Sequence, residues 1–274
     1  MTLTFRSVAL LGLILASRAA MATEDPTFTA KVFDQESKKQ KLLFTYKHES
    51  EQKGDVRIVT NTYNDKDGVL AALETIEFVG PAADEKIRSY HMSQKQLGAE
   101  GDVKVEDGKV KFAYTKGGST KTGEEKLTDD FVVGPSVTAF LQKHWGEIAS
   151  GGKVKTRFAV ADRMETVGFD FFKDHEETID GVKTFAVKMK PSSFLISALV
   201  KPLFFFYSPD GKQLYEVHGR TQVKQKVDGS YHDLDAVTTY EYAAVSATGG
   251  GAPAAGSATG GAVQVPASAG GNSK

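Results

Sequence analysis

The sequence predicts a mainly β protein built on an antiparallel sheet with two short helices. Three observations predict this class. Apolar residues recur at every second position along most of residues 23–245. Tight-turn dipeptides such as Asp180-Gly181 and Asp228-Gly229 separate the alternating runs. Only two segments carry helical spacing.

The first strands are read in "QKLLFTYKHES" (40–50) and "GDVRIVTNTYN" (54–64), joined by the turn "SEQKGD" into a hairpin. Leu42, Phe44 and Tyr46 alternate with Leu43, Thr45 and Lys47, and Val56 and Ile58 follow the same period. "DGVLAALETIEFVG" (67–80) suits helix or strand, and its bracketing glycines favour strand, with Ile76 and Phe78 on one side. "IRSYHMSQ" (87–94) and "GKVKFAYTK" (108–116) come next. "KVKTRFAVA", "METVGFDFF", "VKTFAVKMK", "PLFFFYS", "QLYEVHGRTQV" and "AVTTYEY" complete the strands. The Gly of each Asp-Gly pair accepts the positive φ that a two-residue hairpin turn demands. Closely spaced strands with few helices argue an antiparallel sheet.

The first helix is read in "GPSVTAFLQKHWGEIASGG" (134–152). Pro135 suits a first turn, where its missing N–H costs nothing. Val137, Phe140, Leu141, Trp145 and Ile148 share one face, away from Gln142, Lys143 and Glu147, and Gly151-Gly152 supply the stop. A helix packed on one face of the sheet is expected. The second helix is read in "PSSFLISALVKP" (191–202), capped by Ser192 or Ser193 and ended near Lys201 by the backbone restriction before Pro202. Phe194, Leu195, Ile196, Ala198, Leu199 and Val200 cover most of its circumference, leaving Ser193, Ser197 and Lys201 as a narrow polar stripe. Such a helix must be buried on several sides, or leave one side as a docking surface.

"LFFFYSPDGKQLYEV" (203–217) reads as a hairpin, with Pro209 and Asp210 in the turn and Gly211 in the left-handed bulge position. The expected register pairs Phe206 with Leu214, Phe205 with Tyr215 and Phe204 with Glu216. One face then holds Leu203, Phe205, Tyr207, Tyr215 and Val217. The other holds Phe204 and Phe206 beside Glu216, His218 and Arg220. A half-solvated antiparallel sheet has one polar face, so aromatics on both faces call for a cover. Burying two Phe side chains stabilises by roughly 3–6 kcal/mol. The preceding helix or a bound molecule would supply that burial.

Composition narrows the address. "MTLTFRSVALLGLILASRAAMATEDP" has a positive start at Arg6, a short apolar run over 8–16 and small residues at Ala20 and Ala22. This is the layout of a secretory signal peptide spanning residues 1–22, cleaved after Ala22 or, as second choice, Ala19. The run falls well short of the ~20 residues of a membrane span, so no transmembrane span is expected in the mature chain. The chain has no cysteine, which excludes disulfides, thiolate metal sites and thiol nucleophiles. With 34 basic and 35 acidic residues and no dense basic block, nucleic acid is excluded as an electrostatic partner. Residues 246–274, rich in Gly, Ala, Ser, Thr and Pro, are expected to form a flexible tail, leaving 23–245 as a single β-rich domain.

The stretch from "VVGPSVTAFLQKHWGEIASGGKVKTRFAVADRMETVGF" through "SALVKPLFFFYSPDGKQLYEVHGRTQV" resembles a group of uncharacterised exported bacterial proteins over roughly 132–242. In architecture the chain is also similar to the half-barrel of the periplasmic lipoprotein-carrier class. That likeness implies a curved sheet, half-barrel or open barrel, wrapped around apolar helices. It implies an apolar lining drawn from Phe140, Trp145, Leu199, Phe204 and Phe206. No catalytic residue is implied.

Catalytic and metal signals are sparse. There is no Gly-x-Ser-x-Gly elbow around Ser136, and "TGGGAPAAG" in the tail lacks the lysine of a phosphate-binding loop. None of the six histidines has a histidine partner at i,i+4. "KDHEETIDG" (173–181) gathers Asp174, His175, Glu176 and Glu177 at what is expected to be a solvated hairpin end. Glu216, His218 and Arg220 share one strand face, as a polar rim able to orient a headgroup or as an ordinary wet sheet face. No cofactor, metal or catalytic residue is expected. The sequence thus points to a periplasmic or secreted non-enzymatic protein that takes a lipid or other hydrophobic small molecule. A structural or assembly protein of the cell envelope, acting through sheet edges or tail, is the alternative, and a hydrolase using the Glu216-His218 row the weakest.

Overall fold

The computed structural model describes residues 27–81, 84–194 and 200–242. The expected leader over 1–22, the middle of the expected second helix with Leu199, and the expected tail lie outside these residues. One compact unit ends at Ala243, and the second, Ala244–Lys274, is outside the description.

Among the described residues the fold is mostly β, as expected: one open, curved sheet of 15 strands, with two short α-helices that both lie within the first expected helix. The first eight strands are β1 (Phe28–Asp34), β2 (Leu42–Lys53), β3 (Val56–Asp65), β4 (Leu70–Val79), β5 (Lys86–Gln94), β6 (Ala99–Glu106), β7 (Lys109–Lys116) and β8 (Ser119–Lys126). The two-residue β9 (Phe131–Val132) leads into α1 (Val137–Lys143) and α2 (Trp145–Ala149). Then come β10 (Lys153–Val160), β11 (Glu165–Ile179), β12 (Val182–Pro191), β13 (Leu203–Tyr207), β14 (Leu214–Val227) and β15 (Ser230–Tyr242).

Each half of the chain is a meander, and the first and last strands meet in the middle of the sheet, β1 against β15. All neighbours are antiparallel except β9 and β10, which run parallel. The two edges, β8 and β9, are consecutive in the chain. Side chains, rather than a backbone ladder, tie β8 to β10 and β11 near the other edge. The Glu125 carboxylate accepts from Thr166 N (3.1 Å) and Thr166 Oγ1 and lies 3.6 Å from Arg157. Gly123 allows the approach, since a Cβ there would sit 2.6 Å from Met164 O.

The inner face carries three clusters of buried residues. One packs α1 and α2, through Val137, Leu141, Trp145 and Ile148, on Val154, Phe171, Val187, Phe205 and Tyr207. A second joins Ile76, Phe78, Val103 and Phe112 to Val133, Ala159 and Ala161 across the curl. A third gathers Val32, Phe44, Ala72, Val223 and Leu234. The buried positions of β2 are Phe44, Tyr46 and His48, in the expected phase. On β3, Val59 and Asn61 are buried, while Val56 and Ile58 are only partly covered.

Two expectations are corrected. The helix over 134–152 is interrupted at His144 (φ −101°, ψ 12°), which separates α1 from α2. The break sets the Trp145 indole on the β13–β14 loop, where Nε1 donates to Pro209 O at 3.1 Å. The β13–β14 register is Phe204 with His218, Phe205 with Val217, Phe206 with Glu216 and Tyr207 with Leu214. The reason is a loop that closes at Ser208 N to Gln213 O (2.8 Å), followed by a bulge that puts Tyr215 out of register. The charged run 173–181 is, as expected, the solvated end of a hairpin: exposed residues of β11 lead into the Asp180-Gly181 turn to β12. Its charges pair along and across the strand, Lys173 and Lys183 to Glu176 and Lys188 to Asp174.

Candidate functional site

Alternation along β13 sends Leu203 and Phe205 to the inner face and Phe204 and Phe206 to the outer one. The inner face encloses a cavity of about 410 Å3. Phe28, Val32, Tyr46, Val59, Tyr63 and Phe78, from β1 to β4, form one wall. Met189, Leu203, Phe205, Leu214, Val217, Tyr240 and Tyr242, from β12 to β15, form the opposite wall. Val137, Thr138, Ala139 and Gln142 of α1 close one side, and Gln142 Nε2 donates to Lys212 O at 3.3 Å. The aromatic rings pack on each other: Tyr46 stacks on Tyr63 (4.6 Å, 11°), and Phe28 stacks on His48 (4.4 Å, 8°).

One polar network interrupts this apolar wall. Glu74 follows Ala72 and precedes Ile76 and Phe78 on the inner face of β4, and only 2% of it is exposed. Its Oε1 accepts from Tyr90 Oη at 2.6 Å, and its Oε2 accepts from Tyr63 Oη at 3.1 Å and Asn61 Nδ2 at 3.5 Å. Asn61 Oδ1 in turn lies 2.9 Å from His48 Nδ1. Burial raises the Glu74 carboxyl above its ordinary range, and the hydrogen bonds from Tyr90, Tyr63 and Asn61 offset only part of that rise. The same burial, with the Glu74 charge, pushes the Tyr63 and Tyr90 hydroxyls well up, so both remain protonated donors.

Three cationic side chains border the cavity and each is paired elsewhere. Arg57 holds Glu85 (Nη2 to Oε2 2.6 Å) and lies over the Phe78 ring at 4.3 Å. Arg220 holds Asp235 (2.8 Å) and Asp233. Lys212 lies 3.6 Å from Asp210.

The residues expected to line a binding site are distributed differently. Phe140 and Trp145 belong to the packed core between the helices and the sheet, Phe140 against Phe171 and Trp145 against Phe185 and Tyr207. Neither is among the cavity-lining residues. Phe204 and Phe206 are on the opposite face of the sheet, where Phe206 is buried with Ile179 and Ala186 and lies beside the His175 and His218 rings. Leu199 is outside the described residues. Of the expected rim, Glu216 and His218 are in contact (2.7 Å) on that outer face, and Lys39 pairs with the second Glu216 oxygen. Arg220 alone borders the cavity. Sequence reasoning passed over Leu203, Phe205 and Val217 as plain core, and passed over Glu74 altogether. The signal for Glu74 was its phase, a carboxylate two residues before Ile76 on the apolar side of β4.

A scan against protein-family models gives no match, and a search of curated proteins finds none. Among solved structures the chain is similar to a β-barrel-like protein of a domain of unknown function, DUF1849, from Brucella abortus. The identity is 11% and the TM-score 0.42, with 80% of this chain and 94% of that one covered. It is also similar to a porin-like protein from Bacteroides uniformis, at 10% identity and a TM-score of 0.24, covering 80% of this chain and 97% of that one. Among the described residues no helix is long and apolar enough to cross a membrane.

Proposed function

We propose that this chain is an exported, non-enzymatic binding protein that takes an apolar or acylated molecule into its interior cavity. The observation that carries the reading is the cavity of about 410 Å3, within the range of ~300–1,000 Å3 typical of small-molecule sites, with a mainly apolar, aromatic lining. Well-packed interiors leave few voids larger than a water molecule, so a space of this size among Phe and Tyr rings is a place for a ligand. The leader-like residues 1–22 support export to the periplasm or beyond, and the lack of cysteine is compatible with it.

The test is saturable binding of a neutral fluorescent probe, N-phenyl-1-naphthylamine, to the full chain. Phe205→Ala and Phe206→Ala remove neighbouring, equally bulky rings from opposite faces, and each is expected to cost about 3–5 kcal/mol of stability. Only Phe205→Ala should alter probe affinity. Absence of saturable binding, or an equal change in both variants, would overturn the reading.

A further inference from the structure

Three carboxylates are buried among the described residues: Glu74, Asp170 and Glu216. Two of them are matched by cations. Glu216 has Lys39, and Asp170 has Lys153 at 3.4 Å. Glu74 makes no ion pair among the described residues. Buried charges are ordinarily paired, because desolvating a lone ion is costly. Glu74 is therefore the exception, and it is the buried carboxylate that lines the cavity.

The hydrogen bonds around Glu74 hold an acceptor, not a donor. Two hydroxyls and an amide converge on it, yet Oε1 receives a single donor, from Tyr90. A carboxylate oxygen has room for two. Space in front of Oε1 is kept by Gly134. A Cβ at that residue would lie 3.1 Å from Glu74 Oε1, 3.4 Å from Gln222 Nε2 and 3.9 Å from Tyr90 Oη. Gly134 does not adopt a positive φ, so its backbone does not call for glycine; the missing side chain matters as space. Gly134 is itself a cavity-lining residue.

The cavity also offers aromatic surface near this carboxylate. Tyr63, one of the Glu74 donors, stacks on Tyr46, and Tyr46 meets Tyr240 edge-on at 6.3 Å. Aromatic faces attract cations, more strongly where water is excluded. The cationic side chains at the border, Arg57, Arg220 and Lys212, are tied to Glu85, Asp233, Asp235 and Asp210, none of which lines the cavity. Among the described residues the lining thus includes a buried carboxylate, one oxygen of which has a single donor, with aromatic neighbours and no cation paired to it.

We propose that Glu74 is the headgroup-recognition residue of the cavity, and that the ligand is an amphiphile with one apolar chain and a primary ammonium head. The ammonium supplies the missing charge and a donor for Oε1, while the chain lies along the apolar walls. This rests on the cavity reading above and adds to it the polarity of the ligand. The opposite polarity, a free carboxylate, would place two acids together at the same point and is disfavoured.

The experiment is displacement of N-phenyl-1-naphthylamine from the full chain by dodecylamine, dodecanol and dodecanoate at neutral pH, below their micellar concentrations. The three share one chain length and differ only in headgroup. Dodecylamine is expected to bind about tenfold or more tighter than dodecanol, the scale of a charge-assisted hydrogen bond, with dodecanoate weakest. Glu74→Gln should bring dodecylamine down to the dodecanol value and leave dodecanol unchanged. Gly134→Ala, which crowds Oε1 without removing it, should weaken dodecylamine more than dodecanol. The headgroup series is read on the wild-type chain, so it decides the matter even if a variant fails to fold. Binding of all three with equal strength, or tightest binding of dodecanoate, overturns the headgroup assignment and leaves the cavity reading standing. So does an amine preference that survives in a folded Glu74→Gln. Failure of all three and of the probe overturns both.

Discussion

Replacing Gly211 by alanine tests the contact that fixes α2 on the β13–β14 loop. Gly211 is buried, has φ +74° and donates its N–H to Ser208 O at 2.8 Å. A Cβ built there would lie 2.3 Å from Trp145 Cδ2 and 2.4 Å from Cγ. Carbon atoms prefer ~3.5–4.0 Å, so the overlap exceeds roughly 1 Å. The indole cannot slide away freely, because Nε1 is held by Pro209 O. The left-handed backbone costs an L residue about 1–2 kcal/mol, and overpacking adds about 1–3 kcal/mol. Gly211→Ala should therefore lose about 2–5 kcal/mol of unfolding free energy. Gly181→Ala is the control: its φ is +84°, but nothing lies within 4 Å of the added methyl, so only the backbone cost of about 1–2 kcal/mol applies. Urea unfolding read by tryptophan fluorescence reports on the contact directly, since Trp145 is the one tryptophan of the chain. In a Trp145→Phe background, read by circular dichroism, the excess cost of Gly211→Ala should shrink. Equal losses in the two glycine variants, within about 0.5 kcal/mol, would refute the reasoning.

Two further outcomes concern buried carboxylates and have opposite pH signs. Glu74 is raised by burial, so its contribution is fully present below its ordinary value of 4.5 and is lost as pH rises through the folded-state value. The difference in urea midpoint between the wild type and Glu74→Gln should move against the wild type as pH rises across that range, the lowered carboxylates being common to both. His175, also raised, cancels in the difference, and parallel curves would sink the assignment. For Glu216, burial opposes ionisation, but the hydrogen bonds to His218 and Lys39 outweigh it and lower the carboxyl. Its stabilisation is present above 4.5 and lost as pH falls through the folded-state value. Since Lys39 is about one-third exposed, Glu216→Gln should cost only about 1–2 kcal/mol at neutral pH. A loss that persists undiminished in acid would show that packing, not charge, was removed.

How much of this was legible in the sequence depended on whether a residue's role is set by its neighbours in the chain. Asp180-Gly181 and Asp228-Gly229 were legible as turns because both aspartates and both glycines take positive φ, a demand met locally. β2 and β10 were legible because apolar residues alternate with polar ones along them. β8 was not, because "STKTGEEK" is polar throughout and is specified by pairing with β7 alone. β1 and β6 carry Ala and Gly at inner positions, which weakens the alternation. Within the site, alternation separated Phe205 from Phe206 correctly. Which of those faces is the concave one depends on the sense in which 15 strands curl, and nothing local to "LFFFY" records that.

The curl itself follows from connectivity. Fifteen strands spaced ~4.8 Å apart would, if flat, hold the two edges about 67 Å from each other. Yet the edges β8 and β9 are joined by residues 127–130, a link that spans at most about 18 Å. The sheet must bend until β8 comes round towards the other edge, where Glu125 meets Arg157 of β10 and Thr166 of β11. Bending makes the faces unequal. Roughly eight strands enclose only enough room for their own side chains, whereas about 16–18 leave an open lumen. A 15-stranded curl therefore encloses more volume than its inward residues fill. The helices α1 and α2 occupy the part between β9 and β14, and the second cluster closes another part across the curl. What remains is the space bounded by Phe28, Tyr63, Phe205 and Tyr240, with Glu74 at its wall. Its size is thus set by strand number and helix length. Its chemistry is set by a few inward positions of β2 to β4, where Asn61, Tyr63 and Glu74 replace the aliphatic residues that a merely packed interior would carry.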